Sequence, residues 1–118
     1  MLKRVLIVED DVILAMINRK YLERIGCSVV ASVTNGPDAV IAVKEHNPDF
    51  VLMDIRLEGE MDGIDAMVSI RNFSDVSVIY VSGNSEPAIK ERAEKTNMYG
   101  FLIKPLDFGA LKLLIEKT

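Results

Sequence analysis

Short apolar runs alternate five times with segments of helical period along the chain. The runs are Arg4–Val8, Ser28–Val33, Phe50–Met53, Ser77–Val81 and Gly100–Ile103. Each is rich in Val, Ile, Leu or Phe, the composition of a strand buried on both faces. In the first intervening segment Leu14, Ile17, Tyr21, Leu22 and Ile25 share one helix face, and Gly26 is placed to end that helix. The second opens at Asn35-Gly36-Pro37, a cap followed by proline, and stops at Asn47-Pro48. The third runs from Gly63 to Arg71. The fourth, Ser85 to Thr96, has a weak apolar face at Ile89 and Ala93, and the fifth spans Asp107 to Lys117. Repeated strand–helix units predict an α/β fold. It is a doubly wound, five-stranded parallel sheet with five helices on its two faces and strand order 2-1-3-4-5.

Composition narrows the class. A chain of 118 residues suits one domain, and 49% hydrophobic with 27% charged residues reads as globular. Residues 1–118 are accounted for by this single domain, with no second domain within this chain. The net charge of −4 has acids and bases interspersed, which leaves no basic footprint for direct nucleic-acid binding. No apolar run approaches the ~20 residues of a membrane span, and the short apolar N-terminus runs into acids rather than a cleavage site. The single cysteine, Cys27, has no intrachain partner for a disulfide, and a reducing cytoplasmic setting is expected.

The chemistry lies where the strands end. In such sheets functional groups gather beyond the carboxyl ends, near the switch in strand order. Strand 1 ends in Glu9-Asp10-Asp11, strand 3 in Asp54, strand 4 in Ser82-Gly83-Asn84 and strand 5 in Lys104-Pro105. Strands 1 and 3 adjoin across the switch point, so two acidic ends share one crevice. Two unit charges ~4 Å apart interact by roughly 4 kcal/mol at an effective dielectric of about 20. Such a cluster calls for cations: Lys104, and a hard divalent ion, Mg²⁺ or Mn²⁺, on Glu9, Asp10 and Asp54. So few carboxylates leave an open coordination position that suits a phosphoryl oxygen. Asp54 is then a carboxylate nucleophile toward phosphorus, with Lys104 and the metal stabilising the transferred charge. The Ser82 hydroxyl can bond the phosphoryl oxygen afterwards, and Gly83 leaves it space.

The stretches VLIVEDD, VLMDIRL, VIYVSG and FLIKP, in that order and each at a strand end, resemble the receiver domain of two-component response regulators. The resemblance covers the chain from Arg4 to the last helix. It implies the flavodoxin-like receiver fold, with Asp54 as phosphoacceptor. Mg²⁺ would be held by Asp10, Asp54 and the main-chain carbonyl of Arg56, with Glu9 assisting. It makes Ser82 the switch hydroxyl, Phe101 the switch aromatic and Lys104 the phosphoryl-binding lysine. Arg56 and Asn84 take positions that tune dephosphorylation, and Lys104-Pro105 becomes a candidate cis peptide. Further implications are a sensor histidine kinase as donor and a downstream protein or output domain engaged through helix 4, strand 5 and helix 5. The domain would take part in its own phosphorylation and hydrolysis without being an enzyme for an external substrate. One departure from the common pattern is Leu57-Glu58-Gly59-Glu60-Met61-Asp62-Gly63, which lacks a Met-Pro and is one residue longer. It bears on loop geometry, partner fit and phosphate lifetime.

Other readings fit the residues less well. A flavin carrier of this fold needs a phosphate-cradling Ser/Thr/Gly loop where Glu9-Asp10-Asp11 stand. An aspartyl phosphatase commonly wants a second acid at the position of Arg56. A calcium loop over DIRLEGEMDGID places Arg56 where an oxygen ligand belongs. The remaining alternative is a receiver-like binding module that works without phosphorylation. Asp11 reads as a helix N-cap acid, His46 as a helix-end surface residue, Cys27 as buried, and Met16, Met53 and Met67 as core fillers. In the fifth helix Phe108, Leu111, Leu114 and Ile115 can face the sheet. Leu113 is left over for a partner, such as a second copy in a homodimer.

Overall fold

The computed structural model describes residues 2–117. Ten elements alternate: β1 Arg4–Val8, α1 Val12–Arg24, β2 Ser28–Val33, α2 Gly36–His46, β3 Phe50–Asp54, α3 Gly63–Ile70, β4 Ser77–Ser82, α4 Pro87–Glu94, β5 Gly100–Ile103 and α5 Phe108–Glu116. The five strands form one parallel sheet in the order β2-β1-β3-β4-β5, as the strand–helix alternation predicts.

Alternation along the strands builds two cores. Leu6, Val8, Val51, Met53, Val78 and Tyr80 point to one face and meet α2, α3 and Ala93 of α4. Val5, Ile7, Phe50, Leu52, Ile79 and Val81 point to the other and meet Leu22 of α1 with Leu111 and Ile115 of α5. Each residue step flips the face, so a strand in the middle of the sheet must be apolar throughout. That holds for β1, β3 and β4. The edge strands β2 and β5 are only half-buried, with Ser32 and Ile103 exposed, because each has a neighbour on one side alone.

Local chemistry sets the helix limits. Asn35 caps α2 through the Asp38 N–H, and Asn47 closes it in the left-handed region at φ 45°. Gly26, at φ +95°, follows α1 where a Cβ would be strained. Asp62 and Asp65 form a reciprocal capping box at the start of α3. Helix α4 is shorter than its periodicity suggests and starts at Pro87 with no side-chain cap.

The expected inward face of α1 needs correction at its first turns. Tyr21, Leu22 and Ile25 pack onto the sheet, but Leu14 and Ile17 are 38% and 45% exposed. They stand at the carboxyl edge of the sheet and line a cavity of about 540 Å³ with Pro105, Leu106 and Phe108. Met16 is not a core filler either: at 53% exposure it lies two residues, about 200°, from the buried Asn18. Met53 and Met67 are fully buried, Cys27 is buried and Leu113 is exposed. Among the described residues no helix is long and apolar enough to cross a membrane.

Candidate functional site

Strand register assembles the site. Val8 pairs with Met53, Asp54 with Val81 and Ser82 with Ile103. The next residue out along each strand therefore brings Glu9 beside Asp54, and Lys104 one step beyond β5. Glu9 is anchored by its N–H on the Val33 carbonyl at 3.0 Å, and Lys104 by its N–H on the Ser82 carbonyl at 2.8 Å.

The side chains converge. Lys104 Nζ donates to Asp54 Oδ2 at 2.9 Å and to Glu9 Oε1 at 3.4 Å. The other oxygens are held by backbone: Asp54 Oδ1 accepts from the Arg56 N–H at 3.2 Å, and Glu9 Oε2 from the Asp11 N–H at 3.1 Å. Both carboxylates are buried. Burial, followed by the contact with Asp54, pushes the Glu9 carboxyl up to about 7, against the pull of the Asp11 N–H and Lys104. Burial works to lower the Lys104 ammonium, yet its bond to Asp54 and the two nearby acids raise it on balance, so it stays protonated. Asp11 caps α1 by accepting from the Ile13 and Leu14 N–H groups and is spent there.

Glu9, Asp10 and Asp54 each offer a carboxylate oxygen within 4.8 Å of the others. Hard oxygens so placed, with one cation for at least two negative groups, fit a divalent ion such as Mg²⁺. Arg56 sits two residues beyond Asp54, and its side chain is exposed at a cavity of about 640 Å³ shared with Asp62, Ser82, Asn84 and Ile89.

The remaining candidates surround this core at greater remove. Ser82 is buried, and its hydroxyl is engaged in its own loop, donating to the Asn84 carbonyl and accepting from the Asn84 N–H, both at 3.0 Å. The Asn84 side chain accepts from the Glu86 N–H. A Cβ at Gly83 would meet nothing within 4 Å, so the ground beside it is open. Phe101 is half-buried against the α4-side core, its ring 6.4 Å from that of Tyr80. The Lys104–Pro105 peptide is cis. His46 lies at the end of α2, half-buried and 4.0 Å from Glu45.

Sequence reasoning missed Gly63. Its N–H donates to the Ile55 carbonyl at 2.8 Å, and a Cβ there would collide with the Asp54 carbonyl and approach Met53 Cγ to 2.8 Å. The loop leaving Asp54 thus closes back on that residue's own backbone. The Asp62-x-x-Asp65 spacing of the adjoining cap was the available signal.

Comparison with known proteins places the chain in one family. The family model described as response regulator receiver domain matches residues 5–116. The chemotaxis protein CheY of Bacillus subtilis is 34% identical over all of this chain and 98% of its own length. The transcriptional regulatory protein PdtaR of Mycobacterium tuberculosis is 31% identical over 97% of this chain, which spans only 55% of PdtaR. Among solved structures, the signal receiver domain of a modulated diguanylate cyclase from Desulfovibrio desulfuricans superposes with a TM-score of 0.91. It is 32% identical, covering 99% of this chain and 93% of that one. The CheX–CheY–BeF3–Mg complex from Borrelia burgdorferi gives a TM-score of 0.90 at 27% identity, covering 98% of this chain and 87% of that one.

Proposed function

The chain belongs to the response regulator receiver family, and we propose that it acts as a phosphorylation switch with Asp54 as the acceptor. The supporting observation is Lys104 Nζ bridging Asp54 and Glu9 at the ends of β5, β3 and β1, with Asp10 alongside. An Asp54 oxygen attacks the phosphorus of a phosphohistidine on a sensor kinase. The O–P bond forms, the P–N bond breaks, and the imidazole leaves. Glu9, Asp10, Asp54 and the Arg56 carbonyl would hold Mg²⁺, which when bound would supply positive charge to the transferred group. Lys104, already bonded to Asp54, supplies a second positive charge. The reaction modifies the domain's own carboxylate, so no external substrate is turned over.

The aspartyl phosphate then competes for the Ser82 hydroxyl, which leaves Asn84 for a phosphoryl oxygen and draws the β4–α4 loop with it. Phe101 follows, and the face formed by α4, β5 and α5 is rebuilt for a downstream protein, an output domain or a second copy. Arg56 and Asn84, flanking the entrance, regulate water's access to the phosphate. The described residues, 2–117, form this one receiver unit. The donor reaches Asp54 past the first turns of α1, where Val12 and Ile13 are 66% and 69% exposed. Such an apolar rim suits a protein donor.

Titration with beryllofluoride and Mg²⁺ followed by NMR tests this reading. Shifts spreading from Asp54 through Ser82 to Phe101 are expected. No response, with Mg²⁺ binding demonstrated, favours a receiver-like module that binds partners without phosphorylation.

A further inference from the structure

Helix α4 is held unevenly. Its C-terminal end is tied down by buried and partly buried bonds. The Tyr80 hydroxyl meets Thr96 Oγ1 at 2.7 Å, Thr96 Oγ1 donates to the Ala93 carbonyl at 2.6 Å, and the Arg71 guanidinium donates to the Thr96 carbonyl at 2.7 Å. Its N-terminal end has no side-chain cap at Glu86 and is exposed, next to Ser82 and Asn84. On its flank one side chain reaches across. Arg92 grips Asp62 with bonds of 3.0 and 3.4 Å and Asp65 with one of 3.2 Å.

Asp62 is not a neutral anchor point. It ends the loop that begins at Asp54, caps α3 and precedes Gly63, whose Cα lies against the Asp54 carbonyl. The Arg92 fork therefore ties α4 to the segment carrying the acceptor. The longer loop after Asp54 delivers the carboxylate to that place. We propose that the Asp62–Arg92–Asp65 cluster is a catch that holds α4 in its unphosphorylated setting and sets how readily the domain switches. The inference rests on Asp54 as phosphoacceptor and on α4 as a moving element.

The energetics suit a catch rather than a lock. Burial alone would raise the Asp62 carboxyl, but the Arg92 guanidinium and the Asp65 N–H hold it below its usual range. Bonding to Asp62 raises Arg92 in turn, so the Asp62–Arg92 pair is ionised near neutrality. The side chains are 44%, 30% and 48% exposed for Arg92, Asp62 and Asp65, so solvent screens them. An exposed pair of this kind shifts an equilibrium by no more than about fivefold. A phosphoryl group that favours the other setting can overcome that, and the resting population shifts by the same small factor.

The test is the dissociation constant of beryllofluoride at saturating Mg²⁺, by calorimetry, for the wild type, Arg92→Gln, Asp62→Asn, the double variant and Arg92→Lys. Asn still caps a helix, so Asp62→Asn keeps the start of α3. Each charge-removing single variant is expected to bind about two- to fivefold tighter. The double variant binds no tighter than the better single one, and Arg92→Lys stays near wild type. Variants that bind no tighter than a wild type that does bind would overturn the catch and leave the acceptor reading intact. A wild type that binds no beryllofluoride overturns both.

Discussion

Lys104 and Asp54, fifty residues apart, meet at 2.9 Å because β3, β4 and β5 end in parallel register. The same ammonium reaches Glu9 at 3.4 Å, so one cation serves two buried carboxylates. Replacing Lys104 with Met keeps the stem and removes the charge. Transfer from acetyl phosphate is expected to slow by about 10²-fold, the scale for losing one preorganised donor at a reacting centre. Mg²⁺ binding should persist, because its oxygen ligands remain. Single-turnover phosphorylation and a Mg²⁺ titration on the same variant check both halves.

The elevated Glu9 carboxyl is expected to make Mg²⁺ binding pH-dependent. At about 7 in the metal-free protein, Glu9 carries a proton over a range where an ordinary carboxylate has lost it. Mg²⁺ must displace that proton, so affinity falls as pH drops below about 7, by up to tenfold per unit. Calorimetry in two buffers of different ionisation enthalpy should show proton release near neutrality, and Glu9→Gln should abolish it. Linkage gives the sign for stability without metal. The native state binds the extra proton between the unfolded value of 4.5 and about 7, so this contribution to stability declines as pH rises through that window.

Gly63 and Gly83 should respond differently to alanine. At Gly63 a Cβ meets the Asp54 carbonyl and Met53, both fixed in the core, so Gly63→Ala is expected to destabilise by ~1–3 kcal/mol despite alanine's better helix propensity. Phosphorylation should slow as well, because the acceptor's backbone must shift. Gly83→Ala meets nothing within 4 Å and should leave the melting temperature unchanged. Thermal melts with acetyl phosphate kinetics on both variants make the comparison.

The exposed apolar turn of α1 separates two kinds of donor. Ile13→Asp leaves Asp54, Lys104 and the acidic cluster in place. Phosphorylation by acetyl phosphate is expected at the wild-type rate. Transfer from a phosphorylated histidine kinase is expected to fall at least about tenfold, the factor for losing roughly 1.4 kcal/mol at an interface. Equal loss with both donors would place the defect in the site rather than on the surface.

The strand-end residues were legible in the sequence for a definite reason. A parallel sheet with short connections aligns the residues that follow its strands, so Glu9, Asp54, Ser82 and Lys104 are located as soon as the apolar runs are. Helical periodicity is less informative. It groups Leu14 and Ile17 with Leu22 but carries nothing about how far the sheet extends beneath them, and they sit beyond its edge. Long-range polar ties were not legible. Arg92 meets Asp62 across 30 residues, and Arg71 bonds the carbonyls of Ser74, Val76, Thr96 and Asn97. Nothing in the local pattern of either arginine distinguishes it from a solvated surface residue.

Whether Asp54 is phosphorylated is decided by intact mass after incubation with acetyl phosphate and Mg²⁺. One phosphoryl adduct on the wild type, absent in Asp54→Asn and absent with EDTA, is the predicted result. An adduct that persists in Asp54→Asn, or a wild type that stays unmodified under conditions where it binds Mg²⁺, would contradict it.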